Sequence, residues 1–343
     1  MSEFVLHLSD ADRLEALQLG AQELGRPVNL LEKDLWVVWC LGALFESSFA
    51  PDLTFKGGTS LSKAHKLITR FSEDVDITFD IRKLIPEMTD KHGEIPPTQS
   101  QQRKWTDEVK ARLPRWVAKE MAPLLEERLA AQGVSAAIEV DEEAPSNLRL
   151  HYPAVAQGPG YIKPAVLLEF GGRSTGEPHQ PIEVRCDLES ISDRLGGVSF
   201  PHARPLVMNV VRTFWEKATA AHVYCKQNRL RGERYARHWY DLAAIYQSMH
   251  CDQVLVDRVV AKRVADHKSM FFVEKDAAGI KINYHAAIAG ALHIVPEGEG
   301  RQTLEADYAA MMGEGILPED APSFDGVMAV CATLQDEANT LVA

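Results

Sequence analysis

Residues 55–79 read FKGGTSLSKAHKLITRFSEDVDITF, and they bring together two ingredients of phosphate chemistry. Asp74 and Asp76 stand two apart in DVDITFD, an alternating run rich in β-branched residues. That spacing predicts a strand projecting both carboxylates to one face. Adjacent carboxylates repel, and a divalent cation relieves the repulsion; hard oxygen donors suit Mg2+. Upstream, Gly57-Gly58 sits where a short apolar run, LTFK, gives way to the helical SLSKAHKLI. A strand-to-helix turn with bare backbone amides can cradle phosphate; Thr59 and Ser60 add hydroxyl donors, and Lys63 follows about one turn later. By itself a Gly-Gly pair is usually a tight connection, and an Asp-x-Asp on a strand usually an exposed edge or a turn. In the order strand, Gly-Gly, helix, strand, Asp-x-Asp, the set points to phosphoryl or nucleotidyl transfer. Such chemistry uses cations to neutralise the triphosphate and activate the attacking hydroxyl.

The elements that must position these residues can be read along the chain. Residues 9–25 carry an amphipathic pattern that stops at Gly25-Arg26-Pro27. A second helix begins near Asn29, with Glu32 three positions later in a capping-box-like pair. It runs through LLEKDLWVVWCLGALF, apolar on most faces and therefore buried, until Pro51-Asp52. Pro86, Gly93, Pro96 and Pro97 predict a loop over 85–103. A long helical stretch follows from about Trp105 to Gly133, broken or kinked at Pro114 and Pro123. Further strands are predicted at 134–140, 148–152, 165–170 and 182–188, and from Pro205 onward the pattern is helical nearly to the end. The chain thus reads as α+β, with a mixed sheet of about five strands. Residues 1–200 form the expected first domain with its N-terminal helices, and 201–343 a helical second domain.

At 343 residues, with 45% hydrophobic and 25% charged residues, the chain has the make-up of a soluble globular protein with ample core. No stretch approaches the roughly 18 uninterrupted apolar residues of a membrane helix. The N-terminal MSEFVLHLSDADR acquires charge too soon for a signal peptide, so a cytoplasmic location is expected. Cys40, Cys186, Cys225, Cys251 and Cys331 are scattered without a CxxC pair, which argues against a zinc site or a disulfide framework. The formal net charge of −12 repels nucleic acid at long range, so an RNA partner must meet a local basic surface. RLRGERYARH at 229–238 is the run of that kind, read either as a solvated helix face or as a binding patch. Trp215, His222, Trp239 and Tyr240 fall at helical spacing and read as core rather than as base-stacking platforms.

Gly-Gly, a helix and then Asp-x-Asp resembles the polymerase-beta-like nucleotidyltransferase superfamily. FKGGTSLSKAHKLITRFSEDVDITF is similar, more narrowly, to the AbiEii/AbiGii toxin family, the toxin halves of abortive-infection toxin–antitoxin pairs. LLEKDLWVVWCLGALF, FWEKATAAHV, ERYARHWYDLAAI, HKSMFF and LHIVPEGEGRQTLEADYAAM look like family segments in family order, so the resemblance spans about residues 27–340. It implies a nucleotidyltransferase core in which Gly57, Gly58 and Thr59 contact nucleotide phosphates and Asp74 and Asp76 bind Mg2+. A third acid belongs on a later strand; Glu169 in AVLLEFGGRS is the best match, with Glu183 and Asp187 as rivals. The resemblance also assigns Lys217, in the EK pair, and Asp241, in RHWYD, to the active site. Lys217 would neutralise a triphosphate oxygen. Asp241 would either accept a proton from the attacking hydroxyl or orient Lys217 or Arg237; the plainer alternative is an i−4 pair with Arg237. Many family members carry Arg-Asp where this chain has Arg237-His238, and His238 reads as a structural histidine or a group near phosphate. Lys268 is a weak further choice.

The expected reaction is attack of an acceptor hydroxyl on the α-phosphorus of a nucleoside triphosphate, with release of pyrophosphate. Asp74, Asp76 and Glu169 are expected on one wall of a cleft and Lys217 and Asp241 on the other. The family likeness makes the tRNA 3′ end the expected acceptor, approached along 229–238, and implies a cognate antitoxin. The alternatives are transfer to a protein or small-molecule hydroxyl, or nucleotide binding without turnover.

Overall fold

The computed structural model describes residues 3–156, 163–227 and 234–341. The chain divides into two compact units that alternate along the sequence: residues 1–64, 73–88 and 107–207 form one, and 65–72, 89–106 and 208–343 the other. Among the described residues no helix is long and apolar enough to cross a membrane.

The first unit opens with α1 (Asp10–Leu24). Ser9 caps it by accepting from the Asp12 amide, and Gly25, at a φ of 63°, ends it by donating to the Ala21 carbonyl. Helix α2 (Val28–Phe45) is buried on nearly all sides, which explains its lack of a polar stripe. Strand β1 (Leu53–Lys56) runs directly into the short helix α3 (Gly57–Lys63), and β2 (Val75–Phe79) carries the Asp-x-Asp segment. The predicted loop over 85–103 contains a short helix, Pro86–Thr89, and the start of α4 (Gln99–Trp116). A π turn, Val117–Met121, separates α4 from α5 (Ala122–Gln132) and lies between Pro114 and Pro123. The two prolines remove helical donors on either side of it.

The other strands of the large sheet are β3 (Ala137–Val140), β4 (Asn147–His151), β5 (Ala165–Gly171), β6 (His179–Pro181) and β7 (Leu206–Met208). With β1 and β2 they form one seven-stranded mixed sheet in the order β3-β4-β5-β2-β1-β7-β6. The sheet is thus larger than the five strands expected, because β6 and β7 are too short to show a period. Of the strand predicted at 182–188, only Val184–Arg185 is extended, and it pairs outside the large sheet with His202–Ala203. Phe55, Ile77 and Phe170 are mutual neighbours in register and lie buried. The rows on either side alternate to the opposite face, and that face carries polar residues.

The second unit is helical. Its main helices are α6 (Val210–Gln227), α7 (Arg237–Tyr246), α8 (Arg258–Phe271), α9 (Gly298–Gly313) and α10 (Phe324–Thr340). Trp215 and Trp239 are fully buried, and their indole N–H groups donate to the carbonyls of Val254 and Ile294. Both are core residues, as their spacing suggested. Segment 65–72 belongs to this unit: His65 bonds the Met208 carbonyl, Thr69 the Tyr240 hydroxyl, and the Phe71 amide donates to Ile316.

Candidate active site

The register of the sheet sets the candidate residues of the first unit in line. Asp76 on β2 is paired across the antiparallel ladder with Lys56 on β1 and across the parallel ladder with Glu169 on β5. Glu169 is in turn paired with Asn147 on β4, whose side-chain amide donates to it at 3.3 Å. Residues in register project to one face, so Asp76 and Glu169 share it. Of the three acids weighed for the later position, Glu169 is the one aligned with Asp76. Glu183 pairs with exposed Arg185, and Asp187 is held by Lys63 and Arg26.

Asp74 lies one residue before β2, and its backbone carbonyl accepts from the Thr59 hydroxyl at 2.6 Å. Burial raises its pKa to about 6; Glu73, Glu169 and Asp76 push in the same direction, and Lys33 opposes them. Lys33 is itself buried and bonded to Glu73 at 2.6 Å. Gly57 brings the start of α3 against these acids. Its φ is +80°, and a Cβ there would stand 2.0 Å from Asp76 Oδ2. A side chain there would push the Asp76 carboxylate from its place, and the left-handed φ is one that glycine adopts without strain.

The other residues of the turn are occupied within the fold. Thr59 and Ser60 are fully buried, and the Ser60 hydroxyl donates to the Gly57 carbonyl at 2.9 Å. Lys63 is paired with other acids: its ammonium lies 2.6 Å from Asp34 and 2.7 Å from Asp187. Asp34 also accepts from the Asp187 amide, and Arg26 bonds the same Asp187. This buried network ties α3 to α2 and to residues 187–194.

In the second unit, Lys217 on α6 and Asp241 on α7 meet at 2.8 Å. Asp241 is completely buried, and Arg70 grips both of its oxygens, Nε to Oδ1 at 2.6 Å and Nη2 to Oδ2 at 2.7 Å. Burial alone would raise the Asp241 pKa, but Arg70 and Lys217 overcome it and hold the carboxyl well below its usual range. Such an acid is a poor proton acceptor, so the geometry favours the orienting role over the basic one. Its arginine partner is Arg70, not the Arg237 that helical spacing proposed. Burial lowers the Lys217 pKa, with Asp241 opposing and Arg70 adding to the fall. His238 is pushed well below the ordinary histidine value by burial, then by Lys217 and Arg237; its Nδ1 is buried without a hydrogen-bond partner among the described residues. Lys268 lies over the Phe272 ring at 4.6 Å. Of the basic run at 229–238, residues 229–233 lie outside the described residues. Arg237 is exposed, and the Asp307 carboxylate accepts from the Arg234 and Ala236 amides.

Among the described residues no three His, Cys, Asp or Glu side chains are gathered closely enough to hold a metal ion. The chemistry of the donors nevertheless fits a hard divalent cation. Asp74, Asp76 and Glu169 are oxygen donors on neighbouring backbone, and burial first, then the neighbouring acids, raises the pKa of Asp74. Sequence reasoning missed Arg70, Lys33 and Asn147. Arg70 stands in RFSEDVD itself, but its partner is 171 residues away, a separation no local period encodes.

A family model described as "Nucleotidyl transferase AbiEii toxin, Type IV TA system" matches residues 39–330. None of the curated proteins matches the chain. Among solved structures the chain is similar to "MenT4, nucleotidyltransferase toxin Rv2826c from Mycobacterium tuberculosis H37Rv". The identity is 16% and the TM-score 0.46, with 98% of this chain and 89% of that one covered. A likeness of that size carries no functional inference.

Proposed function

The chain belongs to the AbiEii family of nucleotidyltransferase toxins of type IV toxin–antitoxin systems, and from that premise we propose that it transfers a nucleoside monophosphate from a nucleoside triphosphate to an RNA hydroxyl, in a reaction dependent on Mg2+. Membership implies a nucleoside triphosphate substrate and a cognate antitoxin. The tRNA 3′ end is the proposed acceptor. The observation that carries the metal-dependent reading is the alignment of Asp76 with Glu169, with the Gly57 turn packed against the Asp76 carboxylate.

Bound Mg2+ would neutralise triphosphate charge and lower the pKa of the attacking hydroxyl. Asp74, Asp76 and Glu169 would hold it. Thr59 fixes the Asp74 backbone and Asn147 orients Glu169, so two of the three acids are held by neighbours before any substrate arrives. The amides at Gly57 and Gly58 would receive phosphate oxygens, with Thr59 and Ser60 shaping that turn from beneath and Lys63 anchoring its helix. In the helical unit, Asp241 and Arg70 orient Lys217, whose ammonium would offset triphosphate charge. The acceptor hydroxyl gives up its proton to solvent, its oxygen bonds to the α-phosphorus as the bond to the bridging oxygen breaks, and pyrophosphate leaves with that electron pair. Arg237 and the rest of 229–238 are proposed to guide the RNA.

Incubation with Mg2+, each labelled nucleoside triphosphate in turn and total tRNA tests the reading. Label in RNA is expected, and Asp76→Ala is expected to abolish it. No label in RNA from any nucleotide, with folded protein, sinks the RNA acceptor; label in protein instead identifies a different one. Undiminished transfer by Asp76→Ala removes the metal assignment.

A further inference from the structure

The row containing Asp76 and Glu169 has a fourth member that no motif singled out. Lys56 is the last residue of β1, directly opposite Asp76, and it immediately precedes Gly57. Across β1, β2, β5 and β4 the row reads Lys56, Asp76, Glu169, Asn147. Side chains opposed in this way project to the same face. The other cations of the sheet unit that stand near acids of this region are committed: Lys33 to Glu73 and the Lys163 carbonyl, Lys63 to Asp34 and Asp187, Arg149 to Asp141. Lys56 is half-buried and, among the described residues, makes no ion pair or side-chain hydrogen bond.

We propose that Lys56 is the phosphate-binding cation of the sheet unit, its ammonium receiving phosphate oxygens of the nucleoside triphosphate and then of departing pyrophosphate. The proposal rests on the nucleotidyl-transfer reading above and replaces Lys63 as the lysine that meets substrate. A lysine opposite an aspartate normally closes onto it. Lys56 leaves that pairing unmade and keeps its three donors for another anion. A triphosphate brings several negative charges to a face already lined by Asp74, Asp76 and Glu169, and a compact ammonium on a flexible stem offsets part of that repulsion. Because Lys56 is joined covalently to Gly57, the backbone that would offer amides to phosphate also carries the charge. When the bond between the α-phosphorus and the bridging oxygen breaks, the negative charge grows on pyrophosphate, where an ammonium stabilises it.

The test compares the wild-type chain with Lys56→Met, Lys56→Gln and Lys56→Arg, using inorganic tripolyphosphate with Mg2+ as a probe that needs no knowledge of the base. Lys56→Met and Lys56→Gln are expected to weaken tripolyphosphate binding about tenfold or more, with Lys56→Arg recovering most of it. In turnover, the same neutral variants should raise the KM for nucleoside triphosphate in like proportion while leaving the KM for tRNA unchanged. Acetylation of the wild-type protein, followed residue by residue by mass spectrometry, reads the same contact without a variant. Tripolyphosphate with Mg2+ should protect Lys56. Wild-type affinity in the folded neutral variants, or acetylation of Lys56 undiminished by tripolyphosphate, overturns the proposal. If tripolyphosphate binds through Lys56 but no nucleotide labels any acceptor, the transferase reading fails and the Lys56 contact stands.

Discussion

At the scale of single residues, Gly57 and Asp241 are the most constrained positions. Gly57→Ala places a methyl group 2.0 Å from where Asp76 Oδ2 now stands, at a φ of +80°. The carboxylate must move, and displacement of a reacting group by about 1 Å costs roughly 10²-fold in rate. A kcat reduced by that order, with the protein still folded by circular dichroism, is the expected result; a fully active variant would show that Asp76 need not lie against the turn. Asp241 makes a different prediction. Its folded-state pKa lies well below the ordinary value of about 3.9, so its stabilising contribution is complete above that value and is lost as pH falls toward the folded one. Asp241→Asn leaves Arg70 and Lys217 buried against a neutral group, at a cost of about 3–5 kcal/mol near neutrality. In urea titrations from pH 7 to pH 3 that deficit should shrink toward acid. A deficit constant with pH would contradict the depressed pKa.

At the scale of elements, α3 is a seven-residue helix that cannot hold itself in place by its own hydrogen bonds. The Lys63–Asp34–Asp187 network anchors its end, while Thr59 ties its first turn to Asp74. Lys63→Met removes the ammonium from two acids, one of them Asp34, which burial already pushes upward in pKa against the pull of Lys63. The expected outcome is a loss of about 3–5 kcal/mol in denaturant unfolding. Unchanged stability with a raised KM for nucleotide would restore Lys63 as a direct phosphate ligand. The strands were legible where they were long: β2, β4 and β5 follow the alternation in the sequence to within a residue or so at their ends. β6 and β7, of three residues each, are below the length at which alternation can be recognised. The helix beginning at Gln99 was hidden because Pro96 and Pro97 just before it read as loop.

At the scale of the whole molecule, the chain changes unit at 64/65, 72/73, 88/89, 106/107 and 207/208. The short excursion 65–72 separates α3 from β2 in sequence and carries Arg70 to its bond with Asp241. Charge is the other whole-molecule property. A chain of net charge −12 gains RNA affinity only locally, so the arginines of 229–238 should dominate its salt dependence. Replacing both Arg229 and Arg231 by Gln should weaken tRNA binding and flatten the slope of log affinity against log salt by about 1–2 units. Tripolyphosphate binding should be unaffected. An unaltered slope would remove this run from the RNA path.

The Gly-Gly turn, the Asp74–Asp76 spacing and the α+β class all follow from local period and residue type. The family likeness carried in its motifs added Glu169, Lys217 and Asp241. Which groups meet is a matter of the folded chain. Strand register set Lys56, Asp76, Glu169 and Asn147 in one row, and contacts between distant segments paired Lys63 with Asp34 and Asp187. Contacts of the same kind gave Asp241 to Arg70 instead of Arg237. Pairings of this kind depend on which strands lie adjacent and in what register, and on contacts between residues far apart in the chain. A pattern that repeats every two or 3.6 residues holds no information about either.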